Sequence, residues 1–341
     1  MLRKELLRFI AEPSDFNQMA LRVFAYQYER NTAFRRFCDR RNTNPKRVES
    51  WKQIPLVPVE AFKHAKLYCG TADPARCFLT SGTTGGPETR GKHYFEDLDL
   101  FTAAVRRTFR EFVIPDLKKI RMALLVQPPE QAPTSLLSCQ LQTVLDLYGA
   151  PGSGFFVDKS GLRLDDLKKF FSDAKRAKKP VLVMGTAFAH IHLCDSDLEI
   201  SLPPGSVAVH CGGFKGRSRV VTRSELHELI SRRLGVKRVI NLYGMTETTS
   251  HFYGDEWHDL PPWTAVRILD PDTLAEKRDG EEGLVGWVDL INLDACMGVL
   301  TQDLGVRKGD RSVLLLGRIP GAEARGCSMA MDDFLLGAQG L

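Results

Sequence analysis

Apolar residues recur at helical spacing through roughly the first 65 positions. Spacings of three and four residues place side chains on one face of a helix, so this segment is predicted to be helical. The recurring positions are Leu6, Leu7, Phe9 and Ile10, followed by Leu21, Phe24, Ala25 and Tyr28. Ser14 or Asp15 is suited to cap the second helix. The run IPLVPVEAF then predicts a connector, because each proline removes a backbone donor and fixes φ.

From Cys77 to about residue 260, short apolar runs alternate with amphipathic segments. The runs predict buried strands in RMALLV (121–126), PVLVMG (180–185), SVAVHC (206–211) and RVINLYG (238–244). The amphipathic segments predict helices at 97–112, 165–177 and 223–234. Strands that alternate with helices indicate βαβ crossovers, so the predicted fold class is α/β with a largely parallel sheet flanked by helices.

After Pro261 the pattern changes to short strands and turns, in AVRILD, GLVGWVDLI and SVLLLG. This change predicts a small β-rich C-terminal subdomain. The predicted organisation is therefore a helical N-terminal segment (1–65), an α/β core (66–260) and a β-rich subdomain with a short tail (261–341).

Composition narrows the classes of function. The chain is 43% hydrophobic and 26% charged, as in ordinary globular proteins, and its net charge of +5 is spread along the sequence. No basic tract is interleaved with aromatic residues, which argues against nucleic-acid binding. No apolar stretch approaches 18 residues, so no membrane span is expected. The eight cysteines contain no C-x-x-C pair, which argues against a zinc ribbon and favours reduced thiols in a cytoplasmic protein.

A loop rich in hydroxyl groups and glycines follows the apolar pair Phe78-Leu79. It reads Thr80-Ser81-Gly82-Thr83-Thr84-Gly85-Gly86-Pro87. Glycines allow successive backbone N–H groups to turn toward an anion, and hydroxyls add further donors for phosphate oxygens. The loop is not a Walker A motif, because the Lys-Ser/Thr pair of that motif is absent.

The order TSGTTGGP closely resembles the phosphate-binding signature of the acyl-adenylate-forming superfamily. A second segment, Asn241-Leu242-Tyr243-Gly244-Met245-Thr246-Glu247-Thr248, resembles that superfamily's aromatic-Gly-x-Thr-Glu signature about 160 residues later. The resemblance implies that Thr80, Ser81, Gly82, Thr83, Thr84 and Gly85 bind the β- and γ-phosphates of ATP. It also implies that Tyr243 and Gly244 contact adenine, that Thr246 binds the α-phosphate and that Glu247 positions Mg²⁺.

Three further segments match the same template. His210-Cys211-Gly212-Gly213-Phe214-Lys215 resembles the backbone that passes the adenine, with Gly212, Gly213 and Lys215 as nucleotide contacts. Asp303 matches the ribose-binding aspartate of the family's T-G-D segment, and Arg318 matches the arginine of its hinge. Two positions depart from the pattern: Glu88 stands where many members have lysine, and Gln302 replaces a glycine. Arg90 and Lys92 lie close enough in the sequence to supply the charge of that lysine to a phosphate.

The C-terminal tail distinguishes branches of the superfamily. We expect the usual mobile C-terminal domain to be absent or truncated, and no lysine after Lys308 matches its catalytic lysine. The tail, with RGCS, IPLVPVEAFK and HCGGFKG, resembles the LuxE-type acyl-protein synthetases. That branch passes the acyl group from acyl-AMP to a cysteine near the C-terminus, which implies Cys327 as acceptor, a fatty acid as substrate and an acyl reductase or carrier protein as partner.

Two alternatives stay open on the sequence. A CoA ligase of the phenylacetate-CoA ligase type would use free CoA as acceptor, although it would normally carry the C-terminal domain. A nucleotide-binding scaffold with impaired catalysis would account for the absent lysine, Glu88 and Gln302. The retained hydroxyl and carboxylate side chains of both signatures argue against the scaffold.

Overall fold

A computed structural model describes residues 1–80, 90–212, 222–319, 331–332 and 334–335. Backbone contacts divide the chain into two compact units. The first unit comprises Met1–Ala104, Met245–Phe252 and Glu256–Leu341. The second unit comprises Val105–Gly244 and Tyr253–Asp255.

Helices and strands follow one another along the chain with these bounds. The helices are α1 (Leu2–Ala11), α2 (Phe16–Arg30), α3 (Thr32–Arg40), α4 (Ala61–His64), α5 (Asp99–Phe112), α6 (Leu136–Tyr148), α7 (Leu164–Ala177), α8 (Ala187–Asp195) and α9 (Arg223–Leu234), with a 3₁₀ turn at Trp51–Gln53. The strands are β1 (Val57–Pro58), β2 (Arg76–Leu79), β3 (Lys92–Phe95), β4 (Arg121–Leu125), β5 (Gly154–Phe155), β6 (Val157–Asp158), β7 (Gly161–Leu162), β8 (Val181–Thr186), β9 (Val207–Cys211), β10 (Arg238–Tyr243), β11 (Phe252–Gly254), β12 (Trp257–Asp259), β13 (Thr264–Leu269), β14 (Glu282–Asp289), β15 (Gly298–Arg307) and β16 (Ser312–Arg318).

In the first unit, the N-terminal helices lie where the apolar periodicity predicts them. Asp15 caps α2, because its carboxylate accepts a hydrogen bond from the Gln18 amide at 2.9 Å. Asn31 caps α3 in the same way through the Phe34 amide. The buried faces of α1, α2 and α3 join one apolar core with residues of β13, β14 and β15.

The β-rich part of the first unit is an antiparallel sheet in the order β13-β14-β15-β16-β12, with β1 parallel to β15. The three runs that the sequence predicts as strands after Pro261 form β13, β14 and β16. β2 and β3 form a separate antiparallel hairpin. The hydroxyl-rich loop connects these two strands in sequence.

The second unit contains the predicted parallel sheet. Its strands run in the order β5-β4-β8-β9-β10, and every neighbouring pair is parallel. The four predicted strands match β4, β8, β9 and β10, and the predicted helices match α5, α7 and α9. Buried apolar faces of α7, α8 and α9 pack with the sheet residues in one core. The α/β prediction is confirmed.

Helix α9 begins and ends at local sequence signals. Thr222 and Glu225 form a capping box at its start, and Gly235 ends it at a φ of +69°. These signals position His227 on the first turns of the helix. Within the described ranges, no helix combines the length and apolar character needed to cross a membrane.

Candidate active site

The two ends of the hydroxyl-rich loop are joined at Thr80. The Thr80 amide donates to the Gly91 carbonyl at 2.9 Å, and the Gly91 amide donates to Thr80 Oγ1 at 2.9 Å. A Cβ atom at Gly91 would lie 2.8 Å from Thr80 Cγ2, so the close approach requires glycine. Arg90 donates to the Thr80 and Leu79 carbonyls. Its guanidinium therefore stabilises the base of the loop.

The end of β9 carries the second glycine segment. Gly212 has a φ of +73°, a left-handed conformation that favours glycine, and, its chain neighbours aside, no atom of the described residues lies within 4 Å of a Cβ built there. Gly212 is exposed and directly follows the buried strand. A ligand can therefore approach this backbone without meeting a side chain of the residue itself.

The aromatic-Gly-x-Thr-Glu segment begins at the carboxyl end of β10. Tyr243 is the last residue of that strand and is half-buried, and Gly244 is exposed. In open parallel sheets, ligands bind outside the carboxyl ends of the strands. Tyr243 ends β10 and Gly212 directly follows β9, and these two strands are neighbours in the sheet, with Leu242 opposite Cys211.

In the first unit, the backbone of Thr246 and Glu247 is held by two side chains. His93 Nδ1 donates to the Thr246 carbonyl at 2.5 Å. Asn292 Nδ2 donates to the Glu247 carbonyl at 2.9 Å. Two successive peptide groups are thereby fixed by side chains from β3 and from the loop after β14.

The carboxyl group of Glu247 lies in an unusual electrostatic setting. Burial raises its pKa to about 7, and the nearby Glu60 adds to that rise. Arg318 and Lys63 act in the opposite direction and lower the pKa. A carboxyl with a pKa near neutrality exchanges its proton readily, and such groups cluster at functional sites.

Asp303 and Arg318 form an ion pair within the first unit. Arg318 Nε donates to Asp303 Oδ1 at 3.2 Å, and the two residues are register partners on β15 and β16. The Arg318 side chain is 71% exposed, whereas that of Asp303 is 15% exposed. The sequence-predicted positions Glu247, Asp303 and Arg318 thus share one electrostatic neighbourhood.

The sequence matches the family described as acyl-protein synthetase, LuxE, over residues 11–336. This match covers nearly the whole chain. The chain belongs to the LuxE family. It is therefore an acyl-protein synthetase, a ligase that forms acyl-adenylates, as the sequence predicted.

Two curated relatives agree with the family match. The long-chain-fatty-acid–luciferin-component ligase of Aliivibrio fischeri is 23% identical over 339 residues, which cover 94% of this chain and 88% of the relative. The protein of the same name from Vibrio harveyi is 22% identical over 329 residues, which cover 91% and 85%.

Solved structures agree on the fold. The chain is similar to 2-hydroxyisobutyryl-CoA ligase in an open conformation with 2-HIB-AMP and CoA, with a TM-score of 0.67 and 15% identity over 89% of this chain and 69% of that one. ATP-bound MatB from Rhodopseudomonas palustris gives a TM-score of 0.51 and 18% identity, and the chain spans 49% of its length. At these identities the likeness shows the fold, which is that of adenylate-forming ligases.

Several predicted residues of this LuxE-family chain lie outside the described residues. They are Ser81, Gly82, Thr83, Thr84 and Gly85 of the phosphate loop, Gly213 and Lys215 after β9, and Cys327 in the tail. Thr80, Gly212, Tyr243, Gly244, Thr246, Glu247, Asp303 and Arg318 are described, and their roles remain predictions. The sequence suggested Arg90 and Lys92 as substitutes for the lysine that Glu88 replaces, and the structure has the Arg90 guanidinium bound to backbone carbonyls.

Sequence reasoning missed the polar residues that support the Thr246–Glu247 backbone. Asp289 ends strand β14 and Asn292 lies in the loop after it, and both are fully buried, although aspartate and asparagine are usually exposed. His93 is also buried, and burial lowers its pKa to about 4. The only signal in the sequence is the presence of three polar residues within the apolar run VDLINLDAC.

The second unit holds a chain of three titratable side chains beside an exposed groove. His227 Nδ1 lies 2.8 Å from Asp255 Oδ1, and His227 Nε2 lies 2.7 Å from His210 Nε2. With Asp255 accepting from His227 Nδ1–H, a neutral His227 accepts from His210 Nε2–H.

Proposed function

We propose that this chain uses Mg-ATP to activate a fatty carboxylic acid as acyl-AMP and then transfers the acyl group to the thiol of Cys327. The observation that carries the proposal is the Thr246–Glu247 segment. It combines a backbone fixed by His93 and Asn292 with a carboxyl group whose pKa lies near 7. The names of the two curated relatives, ligases of long-chain fatty acids, support a fatty acid as substrate.

In the first step, a carboxylate oxygen of the acid attacks the α-phosphorus of ATP. The bond from that phosphorus to the bridging oxygen of pyrophosphate breaks, and pyrophosphate leaves with the bonding electrons. The Thr246 hydroxyl donates to an α-phosphate oxygen, on which negative charge is stabilised during the displacement. The phosphate loop, from Thr80 to Gly85, binds the departing phosphates, with Lys215 as an additional cation.

The rest of the nucleotide is bound by residues on both sides of this segment in the sequence. Tyr243 offers a flat ring and Gly212 and Gly213 an open backbone for adenine. Asp303 accepts hydrogen bonds from the ribose hydroxyls, and its ion pair with Arg318 fixes the carboxylate. Arg318 is largely exposed, so it can also approach a phosphate or ribose oxygen.

Glu247 fits a magnesium site. Mg²⁺ is bound through one or two carboxylates together with water and substrate phosphates, so a single protein carboxylate is sufficient. Among the described residues, no cluster of three histidine, cysteine, aspartate or glutamate side chains could hold a metal. Bound there, Mg²⁺ would neutralise charge on the phosphates.

In the second step, the Cys327 thiolate attacks the acyl carbonyl carbon of acyl-AMP. The bond from that carbon to the phosphate oxygen breaks, AMP leaves and a thioester forms. Arg325 and Arg318 would favour the thiolate if they lie close to Cys327 in the reacting complex. The thioester keeps the acyl group activated for a reductase or carrier-protein partner. We place this reaction in the cytoplasm, and none of the seven cysteines within the described residues forms a disulfide.

Exchange of labelled pyrophosphate into ATP, with a panel of fatty acids, tests the first step. Thr246→Ala is expected to reduce exchange by about 10²–10³-fold, the usual cost of losing one donor to developing charge. Thr273→Ala is the matched control, because Thr273 is an exposed residue of a turn in the same unit. Unchanged exchange in Thr246→Ala would refute the assignment of this segment.

A further inference from the structure

We propose that Asn292 is a positioning residue for adenylation, which holds the Thr246–Glu247 backbone from one side while Asp289 holds the residues that follow it. This inference rests on the proposed function, in which Thr246 and Glu247 contact the nucleotide and its metal. Neither Asn292 nor Asp289 belongs to the signatures from which the function was predicted.

Asn292 uses both amide donors and its acceptor oxygen in hydrogen bonds. Its Nδ2 donates to the Glu247 carbonyl at 2.9 Å and to the Cys296 carbonyl at 2.6 Å. Its Oδ1 accepts from the Thr249 hydroxyl at 2.9 Å. The side chain is fully buried, so no water replaces a lost bond. Asn292 therefore ties the backbone at Glu247 to the loop between β14 and β15.

Asp289 binds the next two residues of the same segment. One carboxylate oxygen accepts from the Thr249 amide at 3.1 Å and from the Ser250 amide at 2.8 Å. The other accepts from the Ser250 hydroxyl at 2.8 Å and from the Ile291 amide at 3.3 Å. The carboxylate is fully buried, and its donors are neutral groups fixed in position.

Together with the bond from His93 to the Thr246 carbonyl, these contacts reach four of the five residues from 246 to 250. The remaining residue, Thr248, donates its hydroxyl to the Ser250 carbonyl at 3.5 Å within the segment. The backbone that carries Thr246 and Glu247 cannot rotate without breaking at least one buried bond. Misplacement of a reacting group by 1 Å costs about 100-fold in rate. A residue that holds this backbone thus affects catalysis without touching substrate.

The loop after β14 offers a matched control in Gln27. Its Nε2 donates to the Asn292 and Leu293 carbonyls at 2.8 and 3.1 Å, and its Oε1 accepts from the Met297 amide at 2.9 Å. Gln27 is also fully buried, but it has no hydrogen bond to residues 246–250 among those the structure describes. Asn292→Asp and Gln27→Glu each replace a buried amide by a carboxyl of nearly equal size. Each removes two donated bonds to carbonyl oxygens, but both bonds of Gln27 end in the loop after β14, whereas one bond of Asn292 ends at Glu247.

The experiment measures kcat and KM for pyrophosphate exchange, together with urea unfolding, for both variants. We expect Asn292→Asp to lower kcat by about 30–100-fold with the KM for ATP changed by less than about threefold, because placement rather than affinity is lost. We expect Gln27→Glu to lower kcat by less than about fivefold at a comparable loss of stability. Equal losses of kcat in the two variants, in proportion to their losses of stability, would overturn the inference.

Hydrogen exchange of the backbone amides separates this inference from the proposed function. We expect the Thr249 and Ser250 amides to exchange faster in Asn292→Asp than in Gln27→Glu. Faster amide exchange in Asn292→Asp would support the holding role whether or not the wild-type protein exchanges pyrophosphate into ATP. If the wild-type protein exchanged no pyrophosphate with any acid, only the proposed function would be refuted. Equal amide exchange in both variants would overturn the holding role itself.

Discussion

Each unit of the molecule contains a cluster of polar side chains, but the two clusters differ in their access to water. In the first unit, Asp289 and Asn292 are fully buried and bind mainly backbone groups. In the second unit, His227 connects the buried His210 to Asp255, whose side chain is 76% exposed. The first cluster is sealed from solvent and the second is open to it.

This difference determines what each cluster can do. Buried groups that bind only fixed neutral partners hold a backbone in place, and their loss leaves donors without partners or water. A histidine beside an exposed carboxylate can instead gain and lose a proton as the pH changes. The sealed cluster supports the Thr246–Glu247 segment, where the proposed chemistry requires fixed geometry.

The largest expected difference between the two clusters is the loss in free energy of unfolding when one of their residues is replaced. Asp289→Ala should lower the free energy of unfolding by about 3–5 kcal/mol, because the Thr249 amide, the Ser250 amide and the Ser250 hydroxyl lose a buried acceptor. His227→Ala in the open cluster should cost only about 1 kcal/mol. Urea unfolding measures both values. Similar costs for the two substitutions would refute the distinction between sealed and open clusters.

A smaller change in the free energy of unfolding, a gain instead of a loss, is expected when Glu247 is replaced by glutamine. Burial raises the pKa of this carboxyl from its usual 4.5 to about 7, so the folded protein holds the proton more tightly than the unfolded chain. The stability that the carboxyl contributes is therefore complete below pH 4.5 and is lost as the pH rises through 7. Glu247→Gln should accordingly be about 2 kcal/mol more stable than the wild type at pH 8, allowing for partial exposure, and no more stable at pH 4.

Urea unfolding at the two pH values tests this dependence on pH, with Glu60→Gln as a comparison variant. The charge of Glu60 raises the pKa of Glu247, but burial contributes more to that rise. Glu60→Gln should therefore reduce the dependence of stability on pH only in part, because the Glu247 carboxyl is still present and buried. A stability gain in Glu247→Gln that is equal at pH 4 and pH 8 would contradict the proposed origin in a raised pKa.

The smallest expected effect is a change in the pKa of His227, in the open cluster. Burial lowers the pKa of His227, and the Asp255 carboxylate acts against that effect. Asp255→Asn should therefore lower the pKa of His227 further, while stability at pH 8 changes by less than about 1 kcal/mol. An NMR titration of the histidine ring measures the pKa. Asp197→Asn, at an exposed position of the same unit, serves as the control. An unchanged His227 pKa in Asp255→Asn would show that the contact between His227 and Asp255 is not maintained in solution.

The elements of the fold were largely predictable because their signals are local. The apolar runs that form β4, β8, β9 and β10 are each bounded by polar or glycine residues, and the cap at Asp15 lies within three residues of its partner. The two signatures are likewise continuous stretches of sequence. Their order along the chain was sufficient to predict an adenylate-forming ligase.

The supporting contacts were not predictable, because they join distant residues. Asn292 contacts Glu247 over 45 positions, and His93 contacts Thr246 over 153. Periodicity predicts which face of an element is buried, but it does not identify the partner of a buried polar group. Arg90 illustrates the same point, since its charge suggested a phosphate ligand and its guanidinium binds the carbonyls of Thr80 and Leu79.

The most direct test of the central claim is the intact mass of the protein after incubation with Mg-ATP and a mixture of fatty acids. The proposed function predicts a single acyl adduct that hydroxylamine removes, that is absent in Cys327→Ser and that persists in Cys211→Ser. An adduct of equal abundance in Cys327→Ser would contradict the assignment of the acceptor. AMP formation only in the presence of CoA, without any adduct, would contradict the proposed transfer to protein.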